Sequence, residues 1–370
     1  MKCVNVIPST SGVISMTRSE YTRILVAMLA IIFLVMAWMP VSDFGEATTF
    51  SYNNFVIEDN KGQTEPQVAA SGSGNSAKVY VVYEDLSFSP DTHVIFERSD
   101  DGGETFDHKV DFIEGGESGD TTRSPAMDNN GDEIVIVYLD SQWRTGPTNK
   151  YLLRAAYTDN GGDSWSFSNI TPYGGDYPNN KISYPEVCID PEGNFFAVWI
   201  ESSKTYISFS DDYGNTWSPI QKVKEHNDPD LPSYSQFQAT VASTGEDVVV
   251  TWYANPDYKE WVFTTYANIE PLTSPLSFSD PDMIPEYTYP HPQAFYPKIV
   301  ANDTNFHVAW WDFSTEESGA NHELKSDRPC IKYSKSTNGG ETFRVQGQTD
   351  IIVNTSEPEG WHSAPDIAVT

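Results

Sequence analysis

Aromatic and imidazole side chains recur in polar segments that also carry acidic residues, and this combination is the part of the sequence best suited to chemistry. Tyr, Trp and His rings stack on the apolar faces of sugars, and neighbouring carboxylates accept hydrogen bonds from sugar hydroxyls. We interpret these segments as candidates for sugar recognition; the alternative is that they only cap one end of the fold. The candidate binding residues are Trp143, Tyr177, Tyr234, Tyr289, His291 and Trp361.

Several catalytic and nucleotide-binding motifs are absent from the sequence. It contains no G-x-S-x-G elbow, no HExxH zinc motif, no P-loop and no G-x-G-x-x-G fingerprint. The segment from Asp128 to Asp132 has the composition of a calcium loop but lacks the closing Glu, so we interpret it as an ordinary turn. We expect no metal site and no cofactor, with calcium held by acidic loops as the one open alternative.

Charge and composition limit the class of protein further. The 370 residues include 53 acidic and 22 basic side chains, a formal net charge of -31, which repels nucleic-acid backbones. Aromatic residues make up 13%, and 24 Gly and 24 Pro indicate an all-β protein rich in turns. The three cysteines, Cys3, Cys188 and Cys330, show no spacing typical of a disulfide framework or zinc site.

The N-terminal region resembles an export signal. Arg18 and Arg23 precede an uncharged apolar run from Ile24 to Met39. We interpret residues 1–47 as a signal peptide, in preference to an uncleaved membrane anchor. Either form predicts a secreted or cell-surface protein that meets the membrane only through this segment.

An internal repeat identifies the elements that must position the candidate residues. An octet of the form Ser/Thr-x-Asp/Asn-x-Gly-x-Thr/Ser-aromatic occurs four times, and the last gap is about twice the others. Each octet predicts a hairpin turn in which Asp or Asn caps backbone amides, Gly takes positive φ and the aromatic enters the core. The key residues are Ser99, Asp101, Gly103 and Phe106; Thr158, Asn160, Gly162 and Trp165; Ser210, Asp212, Gly214 and Trp217; and Ser336, Asn338, Gly340 and Phe343.

A second repeat alternates with the octets and consists of a strand, usually with Pro near its start, a polar turn and a β-branched or aromatic strand. Together the two repeats predict units of four strands in about 60 residues, which is the blade of a β-propeller. Blades should begin near 65, 124, 184, 237 and 296, with a truncated sixth at 363, inside a domain over 48–370. The fourth blade has lost its octet, and its outer turn is expected from Ala267 to Pro275.

A six-bladed ring, incomplete at the C-terminus, is the architecture that these repeats favour, with seven or eight blades as the alternative for a longer chain. Residues after Thr48 resemble a fourth strand without a blade of its own, as in propellers that close by pairing an N-terminal strand with C-terminal ones. This interpretation makes the chain a fragment of a longer ring.

The octet resembles the Asp box, or BNR repeat, and the chain from about Thr48 to Thr370 resembles the sialidase superfamily of propellers. The resemblance implies that Asp-box residues are structural and lie on one face of the ring. Ligands would bind on the opposite face, near the axis, where the aromatic segments are expected to lie. Glu186 and Lys298, on first strands, would line the channel as solvated residues.

The resemblance also implies what a sialidase site would need: an arginine cluster for the substrate carboxylate, a Tyr–Glu pair as nucleophile and an Asp as acid/base. The family's first Arg-x-Pro motif is replaced here by Thr64-Glu65-Pro66, but Arg123-Ser124-Pro125 occurs one blade later. The candidate catalytic residues are Arg123, Asp140, Arg144 and Arg328. An exo-glycosidase of sialidase type that acts on a glycan or glycoconjugate is one hypothesis. A non-catalytic propeller that binds a glycan or surface protein, or serves as a scaffold, is the other.

Overall fold

The computed structural model shows an all-β chain. It describes residues 62–73, 76–88, 91–112, 121–141, 151–172, 182–224, 235–255, 260–284, 294–312, 316–318, 323–325, 330–343 and 351–352, with Pro365 and Ile367. Within these ranges every long regular element is a strand. None of the described residues forms a helix long and apolar enough to cross a membrane. The predicted export segment, residues 1–47, lies outside the described residues.

Five antiparallel four-stranded sheets make up five blades, and in each the strands follow one another in chain order. The first blade contains β1 (Gln63–Ser71), β2 (Lys78–Asp85), β3 (His93–Ser99) and β4 (His108–Asp111), and the second contains β5 (Thr122–Asn130), β6 (Glu133–Asp140), β7 (Leu152–Thr158) and β8 (Ser166–Asn169). The third blade contains β9 (Ile182–Ile189), β10 (Phe195–Glu201), β11 (Lys204–Ser210) and β12 (Gln221–Lys222), and the fourth contains β13 (Gln236–Ser243), β14 (Asp247–Ala254), β15 (Trp261–Asn268) and β16 (Asp282–Ile284). The fifth blade contains β17 (Ala294–Asn302), β18 (Asn305–Asp312), β21 (Cys330–Ser336) and β22 (Ile351–Ile352). A hairpin of β19 (Glu316–Ser318) and β20 (Glu323–Lys325) is inserted in the fifth blade.

The blades are arranged around a channel lined by their first strands. Strands β1, β5, β9, β13 and β17 contact one another in that order. Ile367, from the truncated sixth unit, lines the same channel. The predicted fold class, a propeller with five complete blades and a partial sixth, is therefore confirmed. The fourth blade differs in detail, because Ala267 still belongs to β15 and the outer connection covers 269–281.

Second strands are apolar on both faces because each blade is sandwiched between its neighbours. In β6 all but the first residue are buried, and in β10 all are. Trp199, Trp252 and Trp310 are fully buried in the second strands of the third, fourth and fifth blades. Burial of a side chain of this size stabilises the fold by about 3 kcal/mol or more.

The octets form the turns that the sequence predicts. In the first, Ser99 Oγ donates to Asp101 Oδ1 at 2.6 Å and accepts the Gly103 amide at 2.8 Å. Asp101 in turn accepts the backbone amide and the hydroxyl of Thr105 at 2.8 and 2.7 Å. Burial acts to raise the pKa of Asp101, but these hydrogen bonds prevail and lower it to about 2.

The second, third and fourth octets also contact the preceding blade. Trp165 packs edge-on against Phe96 and Phe112 of the first blade, with ring centroids 4.9 and 5.0 Å apart. Gly162 has a φ of 99°, and a Cβ there would lie 2.6 Å from Phe96 Cε1. Arg98 of the first blade donates to the Gly161 carbonyl at 2.8 Å. These contacts connect consecutive blades at one end of the ring, which we call the box face.

Candidate functional site

The opposite end, called the loop face, carries the connections between second and third strands and those between blades. Near this face each first strand contains an irregularity in its pairing with the second strand. The residue there is a non-glycine with positive φ, a conformation that costs about 1 kcal/mol or more and is disfavoured further before proline. These residues are Glu65 (52°), Ser124 (51°), Tyr184 (52°), Gln238 (43°) and Tyr296 (53°).

This repeated bulge brings five side chains to the mouth of the channel, because a bulge bends the strand and redirects its side chains. They line a cavity of about 360 Å³. The remaining described lining residues are Gln67, Pro125, Pro185, Glu186, Ala239, Pro297 and Lys298. The cavity therefore combines rings, amides, a hydroxyl and charged groups within one opening, as a ligand site requires.

One side of this mouth, formed by blades three to five, is aromatic. Tyr184 is 48% exposed, an unusual value for a large ring in this structure. Tyr296 stacks on Trp311 with centroids 5.9 Å apart, and Tyr253 meets Tyr296 edge-on at 5.8 Å. We call Tyr184, Tyr253, Tyr296 and Trp311 the aromatic wall. Burial, together with Tyr296, Tyr184 and Glu260, raises the pKa of Tyr253 to about 12, so its hydroxyl remains a neutral hydrogen-bond donor.

An ion pair crosses the channel at the base of this cavity. The Lys298 ammonium on β17 donates to Glu186 Oε1 on β9, so the pair connects blades five and three across blade four. Both residues also line a second cavity of about 390 Å³, nearer the box face. Glu186 and Lys298 were expected to line the channel as solvated side chains, but they pair with each other instead. The ion pair lies between the two cavities.

The side of the mouth formed by blades one and two carries carboxyl groups. Glu84, 9% exposed at the end of β2, accepts a hydrogen bond from Thr64 Oγ1 at 3.1 Å. Burial and the neighbouring Glu65 carboxylate raise the pKa of Glu84, while Thr64 and Arg123 act in the opposite direction. The Arg123 guanidinium lies over the Tyr151 ring, 4.7 Å from its centroid. The raised pKa makes the Glu84 carboxyl easier to protonate than an ordinary exposed glutamate.

Two of the predicted catalytic residues are described, and they lie in different surroundings. Arg123 immediately precedes Ser124 and Pro125 of the cavity. Asp140 is 2% exposed and accepts a hydrogen bond from Arg154 at 2.9 Å. Asp312, at the corresponding place in blade five, pairs with Lys332 at 3.1 Å, so a buried ion pair at the end of the second strand recurs. This pairing is typical of a structural carboxylate, and a proton-transfer role for Asp140 stays a prediction.

The other predicted site residues lie outside the described residues. This applies to the catalytic candidates Arg144 and Arg328 and to the binding candidates Trp143, Tyr177, Tyr234, Tyr289, His291 and Trp361. In the described part of the chain no three His, Cys, Asp or Glu residues are grouped as a metal site would require. Asp128, from the calcium-like segment, instead accepts the Ile189 amide of the next blade at 2.8 Å.

Sequence reasoning missed the residues at the channel mouth, above all Glu65, Glu84, Tyr253 and Tyr296. A partial signal was present, because a proline follows the bulge residue in the first strands of blades one, two, three and five, whereas Ala239 follows Gln238 in blade four. The positive φ that turns these side chains toward the axis has no counterpart in residue type, since Glu, Ser, Tyr and Gln all occur there.

Comparisons with known proteins support the fold alone. No family model matches the sequence, and no curated protein matches it. Among solved structures, the NanB sialidase of Streptococcus pneumoniae is 9% identical with a TM-score of 0.50, covering 77% of this chain and 62% of its own. A Dyadobacter fermentans protein of unknown function is 15% identical (TM-score 0.45; 70% and 75% covered). An α-L-arabinanase of Penicillium chrysogenum is 10% identical (TM-score 0.43; 76% and 79% covered).

Proposed function

We propose that this chain is an exported propeller that recognises glycans at the channel mouth on the loop face. The observation that carries the proposal is the aromatic wall, whose exposed Tyr184 borders a cavity of about 360 Å³. Stacking rings supply area for the apolar face of a sugar. Gln67, Ser124 and Gln238 supply hydrogen-bonding groups for its hydroxyls at the same opening. The N-terminal export segment supports a secreted or cell-surface location, where glycans and surface proteins are the available partners.

Glycoside hydrolysis is the second candidate function, and one observation favours it. Glu84 is a buried carboxyl with a raised pKa, and the exposed carboxylate of Glu65 lies close enough to contribute to that shift. Hydrolysis of a glycosidic bond uses one carboxyl that donates a proton and a second carboxylate. A sialidase-type reaction is the finer form of this candidate and would rely on Arg123 to hold the substrate carboxylate.

The proposal is tested by a glycan array together with fluorogenic glycosides, using the full chain and two variants. Tyr184→Ala removes a ring from the aromatic wall. Tyr213→Ala is a matched control, because Tyr213 is also 48% exposed and also has positive φ but lies in the third octet on the box face.

We expect Tyr184→Ala to weaken binding of the strongest glycan about tenfold, the loss of one stacking contact of about 1 to 1.5 kcal/mol, while Tyr213→Ala leaves it unchanged. Equal affinities in both variants and the parent chain would place the site elsewhere. Turnover of a sialoside that is lost in Arg123→Ala would support the sialidase form. No turnover of any glycoside would leave binding as the activity.

A further inference from the structure

The charges at the channel mouth favour one class of sugar over another. Three charged side chains line the cavity among the described residues: Glu65, Glu186 and Lys298. Two of them neutralise each other, because Lys298 donates to Glu186. The described lining therefore has a net negative charge, which comes from Glu65.

An acidic sugar would have to compete for the ammonium of Lys298. Lys298 and Glu186 are only 28% and 24% exposed, so an incoming carboxylate would leave the Glu186 charge partly buried without its partner. Uncompensated buried charge is strongly unfavourable, and the cavity thus resists an anionic ligand even though it contains a lysine.

The Glu65 carboxylate is placed to attract a cation. Glu65 is exposed, lines the cavity and has no ion-pair partner among the described residues. The Arg123 guanidinium acts on the pKa of Glu84 and lies over the Tyr151 ring. The whole chain carries a formal charge of -31, so its long-range field also attracts cations, as the Glu65 carboxylate does locally.

We infer that the channel mouth selects neutral sugars and amino sugars over sugars that carry a carboxylate. The protonated amine of an amino sugar pairs with Glu65. The inference rests on the proposed glycan-binding function and specifies its substrate class. It also predicts how the selectivity can be shifted, because Glu186→Gln removes the negative charge with which Lys298 pairs and which repels an anionic ligand.

The experiment compares three oligosaccharides of equal length by titration calorimetry: a glucosamine oligomer, its N-acetylated form and a glucuronate-containing oligomer. We expect binding to weaken in that order. Glu65→Gln should reduce the preference for the amine over the N-acetylated form by up to about fivefold, the upper end of the range for an exposed ion pair, and added salt should reduce it as well. Glu104→Gln, the same charge change in an exposed octet position, is the control and should leave the preference unchanged.

Glu186→Gln should raise affinity for the glucuronate oligomer relative to the N-acetylated one. If this variant melts earlier than the parent chain, Lys298→Met keeps the test valid, because it should reduce any residual binding of the glucuronate oligomer. Tighter binding of glucuronate than of the neutral form to the parent chain would overturn the inference while leaving the glycan-binding function intact. No binding of any of the three, or binding insensitive to Tyr184→Ala, would overturn both.

Discussion

The contact between blades two and three includes a buried carboxyl group, and we predict that it makes the stability of the fold depend on pH. The Asp128 carboxylate on β5 accepts the Ile189 amide of β9 at 2.8 Å and the Asn129 amide at 2.9 Å. Burial is the largest influence on its pKa, and repulsion from Glu186 adds to it. Together they outweigh the two amides and raise the pKa from 3.8 to about 6. The folded chain therefore binds this proton more tightly than the unfolded chain does.

The sign of the effect follows from that difference. A group whose folded pKa is raised stabilises the fold fully below the unfolded value, near pH 4, and this contribution is lost as pH rises through about 6. A shift of about two units corresponds to about 3 kcal/mol. Asp128 borders the second cavity, nearer the box face, and solvent there screens part of this free energy. We therefore expect the free energy of unfolding to fall by about 2 kcal/mol through this group between pH 4 and pH 8.

The perturbation is Asp128→Asn, which keeps an amide-accepting oxygen but cannot ionise. Relative to the parent chain, the variant should gain about 2 kcal/mol in the free energy of unfolding from pH 4 to pH 8, measured by urea denaturation at each pH. Asp132→Asn is the control with the opposite trend. Hydrogen bonds from Lys78 and Tyr80 lower the pKa of Asp132, so its loss should cost more at pH 7 than at pH 3. A difference between parent and Asp128→Asn that stays constant with pH would refute the reasoning.

Two further predictions concern an octet glycine and the candidate acid. Gly162→Ala should destabilise the fold by about 2 to 3 kcal/mol, because its Cβ meets Phe96 at positive φ, whereas Gly131→Ala, with nothing within 4 Å, should cost about 1 kcal/mol. Equal melting temperatures for the two variants would contradict the tight contact between blades. Glu84→Gln should abolish any glycoside hydrolysis, whereas Glu97→Gln, the control, should retain it. The buried carboxyl of Glu97 also has a raised pKa, but it accepts a hydrogen bond from the Tyr83 hydroxyl. Activity that survives in Glu84→Gln would remove this residue from the chemistry.

Much of the architecture was predictable because turns and strands are specified locally. The octet contains within eight residues every group that makes its hydrogen bonds, as Ser99, Asp101 and Thr105 show. Second strands such as β10 are recognisable because burial on both faces requires continuous apolar residues. The fourth blade was harder, since its outer connection lacks this chemistry and its length follows from packing.

The candidate site was less predictable because it depends on ring geometry. Glu186 and Lys298 are 112 residues apart, and their pairing follows from the position of blades three and five around one axis. The charges of Glu65 and Glu84 interact because a bulge at positive φ shifts one strand against its neighbour. Neither relation is encoded by residue type or by spacing within one repeat.

The most direct test of the account is a crystal structure of the chain with the strongest glycan from the array. We predict a sugar ring against Tyr184 and Tyr296 at the channel mouth, with its polar groups toward Gln238 and Glu65. A sugar bound on the box face, or at the outer edge of a blade away from the axis, would contradict the central claim that the first-strand bulges build the recognition site.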